Sequence, residues 1–312
     1  MKRILAAALV LAASISSASA EQFINVLTGG TSGVYYPLGN ALTAIYTEAI
    51  PDARITVQAT KASVENLNLL QAGRGEVAFA LGDSVALAWK GDADMGFASK
   101  LDNLRTLAAI YPNYIQIVAS KDSGIRTLAD LKGKRISVGA PKSGTELNAR
   151  QIFAAAGITY EQMTVQYLPF GESVELMKNR QLDATLQSAG LGVASIRDLA
   201  SAVPIVIVPV PKDLIAKIGD PSFVARPIPA GTYEGQDAAV DTVSVNNYLM
   251  TRKDLPDDLV YTMTKAMFEN LPELIAAHSA AKSISLEDAA SAVPAPLHPG
   301  AARYYKEKGV LH

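Results

Sequence analysis

Two kinds of apolar pattern alternate along the chain. Short continuous apolar runs, the first at residues 23–27, are typical of buried strands. Between them, apolar residues recur every three or four positions, as in the helix predicted to bury Leu38, Leu42, Ile45 and Tyr46 on one face. This alternation predicts an α/β protein with mainly parallel sheets.

The order of these pieces occurs twice. The first copy runs from the strand at 23–27 through a loop rich in Gly, Ser and Thr, and includes a helix opening with the letters SVE at residues 63–65. The second copy starts with a strand at 135–138, has a similar loop, and carries SVE at residues 173–175. We interpret this as two similar α/β lobes, although a repeat this degenerate could also arise within one large doubly wound sheet.

Two extended segments are the predicted crossings between the copies, at residues 114–119 and 242–250. The chain would leave the first lobe, build the second and return, so the first lobe is discontinuous. We predict lobe I over residues 21–116 plus 244–312, lobe II over residues 117–243, and a hinge at the crossing strands.

The first twenty residues read as a secretory signal peptide. Lys2 and Arg3 precede an apolar run at residues 4–13, and small residues lead to a predicted cleavage site after Ala20. This run is too short for the ~20 residues of a spanning helix. We therefore expect a periplasmic protein that is not itself embedded in the membrane. The absence of cysteine excludes a lipid anchor on a cleavage-site cysteine and excludes disulfides.

Charge and composition narrow the function classes. The chain has 28 basic residues, of which Lys2 and Arg3 leave with the signal, against 30 acidic ones, so the net charge becomes about −4. This balance does not favour nucleic acid as a partner.

The side chains that catalysis or metal binding needs are scarce. The histidines are His278, His298 and His312, and neither a His-dependent triad nor an HExxH spacing is present. The glycine loops lack the GK[ST] ending of a P-loop, which disfavours nucleotide binding. We therefore predict no enzyme, with no catalytic residues, metal or cofactor.

The two loops rich in Gly, Ser and Thr are the best candidates for a binding site. Each connects a strand to a helix, where free backbone N–H groups and hydroxyls can hold a carboxylate or phosphate. The simpler alternative is that Ser32 and Thr145 merely cap helices. Because matching loops occur in both copies, we expect Thr31 and Ser32 to face Ser143 and Thr145 across a shared crevice.

Other polar residues follow predicted strands or begin helices. Asp83 could cap the helix that passes through Trp89, or face the cleft and accept an ammonium group. Of Tyr35 and Tyr36, we expect one to line the cleft and the other to point away. The predicted ligand-binding set is Thr31, Ser32, Tyr35, Tyr36, Ser63, Asp83, Pro141, Ser143, Thr145, Glu146, Gln187 and Ser188.

Several ordered motifs resemble the TAXI family, the solute receptors of one branch of tripartite ATP-independent periplasmic (TRAP) transporters. The opening signature is TGGTSGVYYPLG at residues 28–39. Similar matches extend over nearly the whole chain after the signal peptide. They are SVEN at 63–66, DSGI at 122–125, LADLKGKR at 128–135, GAP at 139–141, SGTE at 143–146, IPAGTY at 228–233, LPDDLVY at 255–261 and HPG at 298–300.

This resemblance implies a type II periplasmic-binding-protein fold that closes on its ligand and docks on a sodium-coupled membrane permease. Family ligands include glutamate, glutamine and 2-oxoglutarate-like acids. The sequence departs from the family at residues 82–84, which read GDS where QSD is common, and at Thr31-Ser32, where many relatives carry Thr-Gly or Thr-Ala.

We hypothesise that neutral donors hold the ligand carboxylate in place of an arginine clamp. These donors are loop N–H groups, the hydroxyls of the paired loops, a tyrosine hydroxyl and Gln187. Two alternatives are an ABC-type binding protein and a periplasmic enzyme on the same fold. The best acid/base candidates for an enzyme, Asp83 and Glu146, have no partner at a recognisable spacing.

Overall fold

The computed structural model describes residues 22–311, so the predicted signal peptide lies outside the described residues. The strands are β1 (Gln22–Leu27), β2 (Ala53–Gln58), β3 (Val77–Leu81), β4 (Leu104–Ser120), β5 (Arg135–Ser137), β6 (Thr164–Gln166), β7 (Ala184–Ala189), β8 (Ile205–Val208), β9 (Phe223–Ala225) and β10 (Val243–Arg252). The α-helices are α1 (Tyr35–Ala49), α2 (Ser63–Gln71), α3 (Gly82–Lys90), α4 (Gly144–Ala155), α5 (Phe170–Lys178), α6 (Ala194–Ala202), α7 (Asp213–Ile218), α8 (Asp257–Glu269), α9 (Leu271–Ala277) and α10 (Pro299–Glu307).

The two copies in the sequence are two strand triplets with the same spatial order. The sheet runs β2-β1-β3-β10-β4-β7-β5-β6, so β1 and β5 are each central in a parallel triplet. The antiparallel strands β10 and β4 join the triplets into one hydrogen-bonded series. We call the triplet β1–β3 with α1–α3 the first half, and the triplet β5–β7 with α4–α6 the second half.

The crossing strands are where predicted, but β4 is much longer than the predicted segment at 114–119. Its N-terminal part pairs with β10, and its C-terminal part, from Tyr114 onward, pairs with β7 and β8. The register of β4 against β10 shifts between Asn246 and Tyr248, close to Pro112. Proline has no N–H to give to the ladder, which accounts for an irregularity at this point.

Helices pack against both faces of the sheet through their buried apolar residues. In α1 the predicted face is confirmed, since Leu38, Leu42, Ile45 and Tyr46 are at most 2% exposed. Burial of each such side chain contributes about 1.5–3 kcal/mol. Within residues 22–311, none of the helices combines the length and the apolar character needed to cross a bilayer.

Helix α5 begins earlier than the sequence repeat suggests. The matching motif places a helix start at Ser173, by analogy with Ser63 at the start of α2, but α5 starts at Phe170. Ser173 lies inside the helix, where its hydroxyl donates to Pro169 O at 3.0 Å and lies 2.7 Å from the Ser137 hydroxyl. This shift places the N-terminus of α5 beside the cleft.

Candidate ligand-binding cleft

A cavity lies between the two halves, at the carboxyl ends of β1, β3, β5 and β7. Its volume is about 720 Å³, including the part open to solvent. The carboxyl edge of an open α/β sheet is where such folds bind ligands, because the loops there connect strands to helix N-termini. The wall is formed by Gly29, Gly30, Gly33, Val34, Tyr35, Thr60, Lys61, Ala62, Ser63, Leu81, Tyr111, Asn113, Ala140, Ser143, Gly144, Thr145, Pro169, Phe170, Ser188 and Ala189.

Five helices direct their N-termini at this cavity. The wall contains Tyr35, Ser63, Gly144 and Phe170, which are the first residues of α1, α2, α4 and α5, and Leu81, which precedes α3. The first N–H groups of a helix have no partner within it, and the helix dipole makes this end positive. Since the helices come from both halves, their positive ends converge on one space.

The one charged residue of the described wall is a lysine. Lys61 is exposed at the rim, and no Asp or Glu lines the cavity within residues 22–311. The nearby carboxylate of Glu65 lies outside the wall and accepts from the backbone N–H of Lys61 at 2.5 Å. The cavity therefore favours an anion over a cation.

A buried hydrogen-bond chain supports the cavity floor. The Tyr35 hydroxyl donates to Asn247 Oδ1, and Asn247 Nδ2 donates to Asn113 Oδ1 at 2.8 Å. Asn113 Nδ2 in turn donates to Ser188 O at 2.8 Å, so the chain links α1, β10, β4 and β7. Burial raises the pKa of Tyr35 far above its ordinary value, which keeps its hydroxyl protonated as a donor.

Two hydroxyls of the cavity wall have no partner within the described chain. Tyr111 Oη and Ser188 Oγ are both buried and unbonded there. Buried polar groups are normally hydrogen-bonded, because leaving one unpaired costs about 1–3 kcal/mol. These two groups can accept or donate a hydrogen bond to a molecule in the cavity.

Backbone geometry brings the second loop close to α4. Gly139 has a φ of 96°, and a Cβ there would lie 2.8 Å from Thr145 Cβ, so both conformation and space require glycine. In the first half, Ala62 has φ 71° and ψ −146°, a region that is almost restricted to glycine. Such strain tends to occur at functional sites, and Ala62 lies in the cavity wall.

The chain matches the model of the NMT1-like family over residues 26–309. It belongs to the NMT1-like family.

Solved structures with a similar fold include transport proteins and a solute-binding protein. A periplasmic transporter aligns with a TM-score of 0.58 at 14% identity, covering 94% of this chain and 95% of that chain. The putative L-cystine ABC transporter from Listeria monocytogenes has a TM-score of 0.52 at 14% identity, covering 85% and 98%. The alkanesulfonate-binding protein SsuA from Xanthomonas axonopodis pv. citri, bound to MOPS, has a TM-score of 0.51 at 14% identity, covering 92% and 85%. The predicted periplasmic-binding-protein fold is confirmed.

Five of the residues predicted from sequence line the cavity of this NMT1-like protein. Ser143 caps α4 by accepting from Glu146 N at 3.1 Å, and Ser63 Oγ accepts from Leu81 N at 3.1 Å. A hydroxyl that accepts from backbone keeps its own proton to donate. The five are Tyr35, Ser63, Ser143, Thr145 and Ser188.

The hydroxyls of the first loop lie outside the cavity wall. Thr31 is exposed, and Ser32 is partly buried, with its Oγ 3.5 Å from the position a Cβ on Gly171 of α5 would occupy. Val34, not Ser32, precedes α1, and Ser143, not Thr145, caps α4, so the simpler alternative, that Ser32 and Thr145 cap these helices, is wrong. The first loop contributes Gly29, Gly30 and Gly33 to the cavity wall.

Three other predicted residues also lie outside the wall. Tyr36 is partly exposed while Tyr35 is buried, so one of the pair lines the cleft and the other does not. Pro141 is exposed. Gln187 is buried within β7, opposite Gln116, and its Oε1 accepts from Ser195 Oγ at 2.6 Å.

The two acidic residues of the predicted set do not reach the cavity. Glu146 is nearly buried and pairs with Arg150 at 2.6 Å, and the Tyr160 hydroxyl lies 3.3 Å away. Asp83 neither caps α3 nor faces the cavity. It lies in the first turn of α3, and its Oδ2 accepts from Asn148 Nδ2 at 2.7 Å and from Gln151 Nε2 at 2.9 Å. An acid/base pair for an enzyme does not form from these residues.

Sequence reasoning missed several wall residues. Tyr111 and Asn113 flank Pro112 in β4, where polar groups interrupt an otherwise apolar strand. These polar residues within an apolar strand could have been recognised in the sequence as candidates for the site. Phe170 has no comparable signal, because the repeat itself suggests a later start of α5.

Proposed function

We propose that this protein is an extracytoplasmic solute receptor that binds a small carboxylate ligand between its halves and delivers it to a membrane permease. The observation that carries the proposal is the convergence of five helix N-termini on a cavity lined by Lys61 and by no carboxylate within residues 22–311. Helix N-termini stabilise bound anions, the more so in a site shielded from water.

The geometry supports a specific set of donors for the carboxylate. These are the backbone N–H groups at the start of α4 and the hydroxyls of Ser63, Ser143 and Thr145. At the floor, the unpartnered hydroxyls of Tyr111 and Ser188 suit a second polar group at the other end of the ligand. We infer a ligand that resembles 2-oxoglutarate or another dicarboxylate.

An amino acid such as glutamate fits this wall less well. Its ammonium group would enter a space surrounded by positive helix ends, where the described wall offers no carboxylate to balance it. An unpaired charge removed from water is costly. We therefore expect 2-oxo acids to bind more tightly than the matching amino acids.

Closure of the cleft belongs to the same proposal. We propose the lobes as residues 21–116 plus 244–312 and residues 117–243, joined at the crossing strands. The backbone N–H of Glu65 donates to Lys142 O across the cleft at 3.2 Å, which is consistent with a closed arrangement. Separation of the lobes would remove donors from the ligand and release it.

The binding proposal is tested by isothermal titration calorimetry with matched ligands. We expect 2-oxoglutarate and glutarate to bind, L-glutamate and L-glutamine to bind more weakly, and the uncharged diamide glutaramide to bind at least about a hundredfold more weakly than glutarate. Glutaramide binding as well as glutarate would contradict the anion site. Absence of binding by every carboxylate in the panel would contradict the proposed ligand class.

The permease partner has two candidates. The TAXI-like motifs support a sodium-coupled TRAP permease, whereas the fold similarity to an alkanesulfonate-binding protein and a putative L-cystine ABC transporter favours an ABC importer. Uptake of the bound solute into proteoliposomes that contain the cognate permease separates them. A sodium gradient without ATP suffices for the first candidate, and the second requires ATP. Adding ethanesulfonate to the calorimetric panel tests the sulfonate ligand that the second candidate suggests.

A further inference from the structure

Asp83 forms a contact between the two halves, behind the cavity wall. It belongs to the first turn of α3, and both of its side-chain partners, Asn148 and Gln151, belong to α4 of the second half. Asp83 and Asn148 are 0% exposed, so their hydrogen bond is shielded from water, while Gln151 is partly exposed. Both amides donate to the same carboxyl oxygen, Oδ2.

The other oxygen of the carboxyl group is left without a partner. Within residues 22–311, Asp83 Oδ1 is buried and unbonded, and so is Oδ1 of Asn148, the side chain that already donates to Asp83. An ionised carboxylate with one bare oxygen is expensive to bury. A proton on the carboxyl group removes the charge and supplies a donor where acceptors are in excess.

The surrounding groups offset a negative charge on Asp83 only in part. Asp220, in the segment after α7, adds a like charge, and Tyr35 of α1 faces Asp83 as a neutral hydroxyl. The ionic groups of α4 near this contact, Glu146 and Arg150, pair with each other. Burial is the largest effect and raises the pKa of Asp83 to about 7, while the backbone N–H of Ser84 and the Gln151 amide act in the opposite direction and Asp220 adds to the rise.

We propose that Asp83 is a proton-dependent latch, taking up a proton as the halves close and releasing it as they separate. Separation of α3 from α4 exposes the carboxyl group to water, where its pKa returns toward the ordinary value of about 3.9. The closed state then binds the proton more tightly than the open state. By linkage, closure is favoured as the pH falls from about 7 toward about 4, and is insensitive to Asp83 above and below that window.

The consequence for solute binding rests on the proposed function. If the closed state holds the solute, its affinity rises by up to about tenfold per pH unit as the pH falls through this window. Asp83 then acts as a positioning residue, because it acts through the arrangement of the halves and does not touch the ligand.

The latch can be tested without any ligand. The chain contains no cysteine, so Glu48→Cys on α1 and Thr164→Cys on β6, both at exposed positions, allow two spin labels to be placed specifically. Pulsed dipolar spectroscopy then measures the distance between the halves from pH 8 to pH 5. We expect the closed fraction of the labelled protein to rise as the pH falls. A distance distribution that does not change with pH would overturn the latch.

Asp83→Asn in the same labelled background is the matched variant, because its amide imitates the neutral acid. We expect it to be mainly closed at pH 8 and to show little change down to pH 5. His278 and His298 remain in this variant, so an undiminished pH response would assign the effect elsewhere and overturn the latch. Thermal unfolding verifies that the variant is folded, and Gln151→Ala, which removes one latch hydrogen bond, should lower the closed fraction at pH 5 if Asp83→Asn does not fold.

A calorimetric arm with 2-oxoglutarate separates the two proposals. Tighter binding at pH 5 than at pH 8 in the wild type, absent in Asp83→Asn, supports the latch. Failure of 2-oxoglutarate to bind at any pH counts against the proposed ligand alone, because the spin-label distances still decide the latch.

Discussion

The two loops that lead into α1 and α4 have similar sequences but contribute differently to the cleft. The second loop places Ser143 and Thr145 in the cavity wall, whereas Thr31 and Ser32 of the first loop lie outside the wall, to which that loop contributes its glycines. In the first half, the hydroxyl-bearing residues of the wall are Tyr35, Thr60 and Ser63, which lie outside the first loop. The pseudo-symmetry of the fold is therefore not a symmetry of ligand donors, and this asymmetry can be tested by matched substitutions.

The largest loss of ligand affinity is expected for a substitution at Gly144, the first residue of α4. A Cβ at Gly144 would lie 2.6 Å from Ser63 Oγ and 2.9 Å from Ser63 Cβ, so Gly144→Val forces the halves apart. Overpacking typically costs about 1–3 kcal/mol, and we expect affinity for 2-oxoglutarate to fall by about a hundredfold, measured by calorimetry. Wild-type affinity in Gly144→Val would contradict the close approach of the halves at this position.

The second largest loss of ligand affinity is expected for the threonine of the second loop, Thr145, and not for that of the first loop, Thr31. Thr145→Val removes a hydroxyl from the cavity at nearly constant shape, and a hydrogen bond to a charged group contributes about 1.5–3 kcal/mol. We expect affinity for 2-oxoglutarate to fall by about tenfold or more in a calorimetric titration. Thr31→Val should bind within about twofold of wild type. If Thr31→Val is the weaker binder, the first loop faces the ligand after all.

The floor hydroxyls predict a smaller and more selective effect. Tyr111→Phe removes an unpartnered buried hydroxyl, so the free protein should keep its thermal midpoint or gain slightly. Affinity should fall severalfold for 2-oxoglutarate and not for the monocarboxylate butyrate, which has no second polar group. Tyr46→Phe is the control, because Tyr46 Oη is also buried and unpartnered within the described residues but lies outside the cavity wall. A loss in both variants would point to a general packing effect.

The smallest loss of ligand affinity is expected at Lys61, at the rim of the cavity. Lys61 is exposed, so Lys61→Met should weaken equilibrium binding of 2-oxoglutarate by no more than about threefold. The association rate should fall and should become less sensitive to salt, because a rim charge acts mainly by steering. Stopped-flow association at low and high salt measures this. A rate that is unchanged at low salt would remove Lys61 from the site.

The fold could be predicted because its determinants are local. The apolar face of α1 and the two copies of strand, loop and helix follow from periodicities within short windows. The crossing strand β4 was only partly predicted, because its length depends on pairing with β10 and β7, which lie far away in sequence.

The sequence predicts which loops lie at the site, but it does not predict which of their side chains line the cavity. Whether Thr31 or Thr145 faces the cavity depends on the path of each loop and on the approach of the opposite half, which no local pattern encodes. Asp83 shows the same limit, since its partners Asn148 and Gln151 lie more than sixty positions away and belong to the other half.

The central claim is that the converging helix N-termini hold a small anion between the halves. Mass spectrometry of the solute released by denaturing protein freshly purified from the periplasmic fraction tests it most directly. The account predicts a carboxylate with a second polar group and no amine, released in close to one-to-one ratio. A cationic or wholly apolar molecule in that ratio would contradict it.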